Sequence, residues 1–197
     1  MTISNRKANH EINPIYTKRW SPRAFSSKKV EREKLDSVFE AARWAPSASN
    51  NQPWHYIFAE SDEDKERFLS FILPGNTSWC VDAPILIAAV SKKTVDRSDK
   101  VQENKWHAFD TGTSWGFLAL EAFRQGLVTH AMGGFKQEEA KGALQLTDDY
   151  EVQAMIALGY QGETADLTEE LQEREVVSDR KEIESFVSEG LFSGKQL

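Results

Sequence analysis

The sequence predicts a domain in which a β-sheet is covered by α-helices. Segments of strand composition alternate with segments of helical periodicity along most of the 197 residues. Two continuous apolar runs, residues 84–91 and 152–160, have the composition of strands buried on both faces. With 40% hydrophobic and 11% aromatic residues, the chain suits one medium-sized domain.

The first half predicts helix, loop, strand and helix in turn. Residues 30–44 predict a helix because apolar side chains recur at helical spacing, and Pro46 ends it. Residues 46–53, PSASNNQP, have loop composition, and residues 54–59, WHYIFA, predict a strand. A capping-box pattern opens a second helix at residues 61–72, which Pro74-Gly75-Asn76 then breaks.

A long helix is predicted at residues 106–124, with Gly126 as its stop signal. The polar stretch before it, residues 92–105, predicts a loop or a weakly helical lead-in. One face of the helix carries an apolar stripe, and several small residues would let another backbone approach closely: Gly112, Thr113, Ser114 and Gly116.

The C-terminal part predicts a strand at residues 127–132, a turn at 133–135 and a short helix at 137–146, before the strand at 152–160. From residue 162 the chain is polar and charged. Its last apolar residues follow a charged stretch instead of a packed element: Ile183, Phe186, Val187, Leu191 and Phe192. A tail of this kind often docks on a second subunit.

Composition excludes several classes of function. The net charge of −7 disfavours binding to nucleic acid or to anionic lipid. The single cysteine, Cys80, rules out an intrachain disulfide, nearly excludes a cysteine-based metal site and favours a reducing, cytoplasmic setting. The longest apolar run, residues 83–90, is too short to span a bilayer, and the N-terminus lacks the apolar stretch of a signal peptide. The four histidines are scattered without metal-ligand spacing, and no metal site is expected.

Three stretches could hold a ligand, and each has a plainer interpretation. In residues 19–25, RWSPRAF, Arg19 and Arg23 could bind phosphate or form surface ion pairs, and Arg180 in the tail poses the same choice. The small polar residues of the 46–53 loop could edge a planar ring or form an ordinary turn. Gly133-Gly134 could adopt positive φ and let a ligand approach the main chain, or form a simple turn. No hydrolase motif and no G-x-G-x-x-G is present.

Taken in order, these motifs resemble the nitroreductase family of FMN-dependent oxidoreductases. The similar stretches are RWSPRAF at 19–25, AARWAPSASNNQPW at 41–54, MGGF at 132–135 and ALGY at 157–160. The resemblance implies an α+β fold with three layers, α-β-α, around a central mixed, mainly antiparallel sheet. It also implies one domain over residues 1–197, in an obligate homodimer that binds FMN between its chains. Residues 1–15 would form an N-terminal arm, and residues 162–197 a tail that wraps the partner subunit.

The resemblance also assigns roles to residues. Arg19 and Ser21 match positions that hold the FMN phosphate and ribityl chain, Arg180 matches a phosphate-binding arginine, and Arg23 matches a basic residue near the pyrimidine edge. Trp20 stands between them, where the family often has a basic residue or a histidine. Asn76 matches an amide at the polar edge of the ring, and Gly133-Gly134 a turn whose N–H points at the flavin N5. The loop from the other subunit is matched by Pro46, Ser47, Ala48 and Asn50, with Gln52 beside them.

The implied reaction is hydride transfer from NADH or NADPH, through FMN, to a small electron-poor acceptor such as a nitroaromatic or quinone, in a ping-pong sequence. No side chain is assigned as a catalytic acid or base. Trp106 and Phe109 are candidates for an aromatic wall over the substrate, with core packing as the alternative. Two other functions stay open: an FMN-binding redox sensor or cofactor-handling protein, and a different flavin reaction such as dehalogenation or flavin breakdown.

Overall fold

The computed structural model describes residues 6–192. The helices are α1 Ile15–Lys18, α2 Arg32–Arg43, α3 Asp62–Leu69, α4 Pro74–Cys80, α5 His107–Arg124, α6 Gln137–Ala143 and α7 Glu169–Glu173. The strands are β1 Phe25–Ser26, β2 Trp54–Ala59, β3 Ile85–Lys92, β4 Thr94–Arg97, β5 Lys100–Glu103, β6 Val128–Met132 and β7 Tyr150–Gln161. Short 3-10 turns lie at Ala48–Asn50, Thr164–Asp166 and Ile183–Ser185.

The long strand β7 organises the sheet. It pairs with β3 along most of its length, from Lys92↔Tyr150 to Ile85↔Leu158, and with β6 from Met132↔Met155 to Val128↔Gly159. Strand β2 pairs with the far side of β3, and β1 pairs with the end of β7. Each of these pairs is antiparallel, so within residues 6–192 the sheet lacks the parallel pair that a mixed sheet requires.

The two faces of the sheet carry separate hydrophobic clusters. Alternate residues of β3 point to opposite faces, so Ile85 and Ile87 pack with α2 and α5 while Leu86 and Ala88 pack on the other side. The cluster around Leu86 and Ala88, called here the second cluster, also contains side chains from α3, α4, α6 and α7. Helices therefore cover both faces, which confirms the three-layer α+β prediction.

The segment between β3 and α5 is a hairpin, so the prediction of a loop or helical lead-in there was wrong. Strands β4 and β5 pair antiparallel, and Ser98 and Asp99 at the turn have φ of 50° and 60°. A two-residue turn of this hand matches the twist of paired strands. Both strands are polar and largely exposed, which removes the alternation of apolar residues that normally reveals a hairpin.

Two proline and glycine assignments also differ from the sequence prediction. Pro74-Gly75-Asn76 opens α4 instead of only ending α3, because proline fits the first turn of a helix, where its missing N–H has no partner to lose. Gly133 and Gly134 do not have positive φ, whereas Gly126, the stop signal of α5, does, at 77°.

The first part of the C-terminal tail packs against its own chain. Leu167 and Leu171 are buried in the second hydrophobic cluster, and Glu175 is buried as well. The exposed apolar side chains of the tail begin at Val176, whereas Leu167, Leu171 and Glu175 pack on their own chain. The wrapping of a partner by residues 162–197 stays a prediction. Residues 1–5 and 193–197 of the predicted arm and tail lie outside the described residues.

Cys80 at the end of α4 is fully buried, and burial raises the pKa of its thiol to about 12. Cys80 therefore behaves as a small buried side chain whose thiol is not ionised at ordinary pH. None of the helices in the described part of the chain is long and apolar enough to cross a membrane.

Candidate functional site

A pocket of about 370 Å³ lies between RWSPRAF, the middle of α5 and strand β6. Two of the predicted site residues, Arg19 and Ser21, line it. The apolar wall comes from α5, and the floor comes from β6; the remaining lining residues are Trp115, Gly116, Ala119, Leu120, His130 and Ala131.

Arg19 brings a positive charge to this pocket. Its Nη1 donates to the carbonyl of Trp20 at 3.1 Å and to Ser21 Oγ at 3.2 Å. Among residues 6–192, no carboxylate lies within ion-pair distance of its guanidinium. Burial lowers the pKa of Arg19, and the neighbouring charges of Arg180 and Arg6 lower it further. Bound anions would relieve both effects, because they offset the desolvation and the like-charge repulsion.

The three arginines come from segments far apart in the sequence. Arg6 joins them: its Nε donates to the carbonyl of Ser178 at 2.6 Å, and its Nη1 to the carbonyl of Arg19 at 2.8 Å. Arg180 donates from Nη1 to the carbonyl of Asp179 at 2.9 Å. Arg19 and Arg180 therefore lie near each other within one chain, and their binding of the FMN phosphate stays a prediction. Sequence reasoning missed Arg6, which lies in the arm outside any recognisable motif.

Arg23 is held by the tail and does not line the pocket. Its Nη1 donates to the carbonyl of Arg174 at 3.1 Å and lies 3.8 Å from Glu175 Oε2. The same carboxylate accepts the backbone N–H of Arg23 at 2.7 Å and that of Ala24 at 2.9 Å. Trp20 is buried, with 8% of its surface exposed, so within this chain it has little surface left for a ligand.

His130 forms part of the pocket wall, although no sequence motif singled it out. Its Nδ1 lies 3.0 Å from the carbonyl of Pro22, which can only accept, so Nδ1 carries a proton and donates it. The ring packs against Trp79 with centroids 4.5 Å apart. Burial lowers the pKa of His130, and the charges of Arg23 and Arg19 lower it further. The imidazole is therefore neutral at pH 7.

The glycine pair and Asn76 are brought together at the end of β6. Asn76 Nδ2 donates to the carbonyl of Gly134 at 3.1 Å, and the N–H of Leu73 donates to the same oxygen at 3.0 Å. A Cβ on Gly134 would lie 2.5 Å from Asn76 Nδ2, so close approach explains the glycine, and positive φ does not. At about 3.3 Å per residue, this polar corner lies roughly 10 Å from His130 along the strand.

The 46–53 loop has an unusual backbone. Ser49, Asn50 and Gln52 have φ of 52°, 54° and 47°, in the left-handed region that non-glycine residues seldom occupy. Ser47 Oγ accepts the N–H of Gln52 at 3.0 Å. The loop presents several polar groups to solvent: Ser49, Asn50 and Gln52 are exposed.

Two other elements hold this loop. Asp110, in the first turn of α5, accepts the N–H of Ala48 at 3.1 Å through Oδ2. Arg97, from the β4–β5 hairpin, donates from Nη2 to Ser49 Oγ at 3.1 Å. Neither residue was singled out from the sequence, because each contact joins segments about fifty or more residues apart.

The pocket that contains Arg19 and Ser21 is called here the arginine-lined pocket. Within one chain, it is separate from the 46–53 loop. None of the described loop residues lines the pocket. Asp110 lies five or more residues before the α5 residues of the pocket wall, which corresponds to about 8–15 Å along the helix axis. The candidate site residues therefore form two groups at different points along α5.

Trp106 and Phe109, at the start of α5, are on the surface. Trp106 is 58% exposed and Phe109 is 72% exposed, so the core-packing alternative for these side chains was wrong. They extend an apolar face that continues with Phe117, which is 40% exposed. A Cβ added to Gly112 or Gly116 would have no heavy atom within 4 Å, so a neighbouring backbone can approach this face closely.

Comparisons with known proteins show which sequences and structures this chain is similar to. The model of the nitroreductase family matches residues 16–78 and 73–160. An Archaeoglobus fulgidus protein with the provisional name NADH dehydrogenase/NAD(P)H nitroreductase is 27% identical over 162 residues, which span 80% of this chain and 89% of that protein. A crystal structure described as an oxidoreductase containing FMN is 34% identical, has a TM-score of 0.94, and covers 99% of this chain and 100% of its own. A nitroreductase family protein from Clostridium difficile 630 shares the fold, with 23% identity and a TM-score of 0.72 over 93% of this chain and 100% of its own.

Proposed function

The chain belongs to the nitroreductase family, and from this premise we propose that it is an FMN-dependent oxidoreductase that uses NADH or NADPH to reduce small electron-poor acceptors. Nitroaromatics and quinones are the acceptor classes we infer. The supporting comparisons are the relatives named for NAD(P)H-dependent nitro reduction and the structural neighbour described as containing FMN.

One observation carries the proposal: the arginine-lined pocket holds a half-buried guanidinium without a carboxylate partner among the described residues. Arg19 lies beside Arg180 and Arg6, in a protein whose net charge is −7. Asp179 offsets part of the charge of Arg6, but among the described residues no carboxylate offsets that of Arg19. A bound anion would do so, and a phosphate accepts several charge-assisted hydrogen bonds. The phosphate end of FMN fits this requirement.

The chain supplies binding and orientation, and the cofactor supplies the redox chemistry by accepting and passing on a hydride. Arg19 and Arg180 would bind the phosphate, and Ser21 would orient the chain next to it. Asn76 fixes the Gly134 carbonyl, which leaves the main chain of Gly133-Gly134 in a defined position for the polar part of the ring. Arg23 is paired with Glu175, so its charge is partly neutralised before any ligand is considered.

We further propose that the site is completed by a second copy of this chain. The loop and the arginine-lined pocket do not meet within one chain, and a two-fold arrangement about α5 would bring the loop of one copy to the pocket of the other. The exposed apolar face of α5, with Phe117 and the open backbone at Gly112 and Gly116, suits such contact. So do the exposed apolar residues of the tail after Glu175.

The subunit proposal is tested by Phe117→Asp. A charge on the α5 face would be desolvated in a dimer and left in water in a monomer, so the variant should sediment as a monomer and lose bound FMN. The matched control is Val101→Asp, because Val101 is 69% exposed on the β4–β5 hairpin and is not part of α5. A Phe117→Asp protein that remains dimeric would contradict the proposed interface.

The function is tested on purified protein. We expect the yellow colour and visible spectrum of bound flavin, oxidation of NADH or NADPH when a nitroaromatic or quinone is added, and parallel double-reciprocal plots that indicate a ping-pong sequence. Colourless protein that takes up no FMN would overturn the proposal. Yellow protein that consumes no NAD(P)H would favour the redox sensor, and consumption with halogenated compounds alone would favour dehalogenation. The cytoplasmic location stays a prediction.

A further inference from the structure

The 46–53 loop maintains a conformation that its own sequence does not favour. Ser49, Asn50 and Gln52 all have φ near +50°, where side chains with a Cβ crowd the backbone. This left-handed run is interrupted only at Asn51, which has φ of −69°. It persists only where surrounding contacts determine it. The question is which contact does so.

Asp110 is the contact that is best placed for this task. Its carboxylate is buried, with 3% of the residue exposed, and it accepts the N–H of Ala48, the residue immediately before the left-handed run. The other two contacts are weaker candidates. Ser47 belongs to the loop itself, and the Arg97 guanidinium is exposed on the hairpin, where water competes for the same hydrogen bonds.

We propose that Asp110 is a positioning residue: by holding the Ala48 N–H, it fixes the left-handed run of the loop and so prepares the loop to meet the flavin. The part that concerns the flavin rests on the proposed function. The part that concerns the loop does not, because the tether exists within one chain. Asp110 is itself part of α5, so its hydrogen bond fixes the loop directly to the helix that bears the exposed apolar face.

The plainer interpretation is that Asp110 stabilises α5 through its position in the first helical turn, where a negative charge interacts favourably with the helix dipole. Asp62 provides the matched control. It is an exposed acidic residue in the first turn of α3 and has no contact with the loop. A general effect of first-turn charge would be shared by both residues, and a loop effect would be confined to Asp110.

The first experiment measures amide exchange in the cofactor-free protein by nuclear magnetic resonance. In Asp110→Ala, we expect exchange of the Ala48 and Gln52 amides to become about tenfold faster, since one charge-assisted hydrogen bond has been removed. Amides of β7 should not change. Asp62→Ala should leave the loop amides as they are. Unchanged loop exchange in Asp110→Ala would overturn the proposal.

The second experiment measures FMN affinity by quenching of flavin fluorescence. Asp110→Ala is expected to raise the dissociation constant about tenfold. Adding Ser49→Gly should recover about threefold, because glycine adopts φ near +50° without the steric penalty that serine has. An affinity loss that Ser49→Gly does not reduce would mean that Asp110 acts other than through the loop backbone. Failure of the wild-type protein to bind FMN would instead overturn the proposed function, and the exchange experiment would still test the tether.

A second variant covers the case in which Asp110→Ala does not fold. Ala48→Pro removes the N–H and leaves the carboxylate in place. The site tolerates proline, because Ser47 before it is extended, with φ of −146° and ψ of 154°, and Ala48 opens a helical turn. We expect the same faster exchange at Gln52 and the same affinity loss. Wild-type behaviour of Ala48→Pro would overturn the proposal.

Discussion

RWSPRAF and the 46–53 loop are both anchored by a buried carboxylate, yet they are stabilised in different ways. Glu175 accepts the N–H groups of Arg23 and Ala24, and Asp110 accepts that of Ala48. RWSPRAF also inserts Trp20, Ala24 and Phe25 among buried side chains, whereas the loop leaves Ser49, Asn50 and Gln52 exposed.

The difference separates stability from ligand binding. Around RWSPRAF, a polar contact is part of the packed interior, so losing it should lower the free energy of unfolding of the whole domain. Around the loop, few apolar contacts depend on the conformation, so a lost tether should change ligand affinity and local order and leave the unfolding midpoint nearly constant. The following variants test this contrast.

The largest effect is expected for Glu175→Ala. Two backbone N–H groups in a buried setting would lose their acceptor, at about 1–3 kcal/mol each, so the free energy of unfolding should fall by about 2–6 kcal/mol. Urea denaturation measures it. The exposed neighbour Glu173 supplies the control, and Glu173→Ala should change little. A loss below about 0.5 kcal/mol for Glu175→Ala would remove the contrast between the two regions.

Arg19→Ala should affect affinity without lowering stability. Charge-assisted hydrogen bonds contribute about 1.5–3 kcal/mol, so FMN should bind roughly 10–100-fold more weakly. The apoprotein should be as stable as wild type or slightly more so, because a desolvated charge beside Arg180 and Arg6 has been removed. Lys18→Ala, at the exposed position next to it, should bind FMN normally. Affinity for riboflavin, which lacks the phosphate, should be the same in both variants.

Ser47→Ala should produce a smaller change of the loop type. It removes the acceptor of the Gln52 N–H, worth about 1 kcal/mol, so FMN affinity should fall about fivefold. The thermal midpoint should stay within about 2 °C of wild type, since the loop contributes little to the interior. Ser27→Ala, at an exposed serine away from the loop, serves for comparison. A large drop in the midpoint would show that the loop is part of the cooperative unit after all.

The smallest effect concerns His130 and pH. Its pKa in the folded protein lies below the ordinary value of 6.5. Above pH 6.5 the His130 imidazole is neutral in both the folded and the unfolded chain, so its full contribution to the free energy of unfolding is present. As pH falls below 6.5, the unfolded chain takes up the proton first, so stability declines. Between pH 7.5 and 5, wild type should lose more stability than His130→Asn, which urea denaturation at each pH would measure. If the free energy of unfolding depended on pH equally in the two proteins, the lowered pKa of His130 would be contradicted.

The sequence predicted the layers well because they depend on local periodicity. The continuous apolar run of β3 and the helical spacing of α2 are patterns of consecutive residues, and the elements predicted in this way lie within three residues of their predicted bounds: α2, α3, α5, α6, β2, β3, β6 and β7. The short elements α1, α4, α7 and β1 were not predicted. The β4–β5 hairpin was missed, because Ser98-Asp99 is not a strong turn signal and its strands bury no apolar face.

The site could be predicted only in part. Arg19, Ser21 and Arg180 stand in recognisable patterns, and the structure brings them together. Glu175 and Asp110 could not be found, because their partners lie 152 and 62 residues away and a lone acidic residue carries no signal of burial. The left-handed run was hidden as well, since serine and glutamine at such φ values are set by tertiary contacts.

The inert thiol of Cys80 makes this protein convenient for site-specific labelling. With its single native cysteine buried and held in the neutral form at ordinary pH, maleimide or nitroxide reagents would react at an introduced surface cysteine and leave the native one untouched. A label at Glu189→Cys would report on the tail, and one at Ser49→Cys on the loop. Distances between paired labels could then follow both segments in solution, without any need to redesign the background protein.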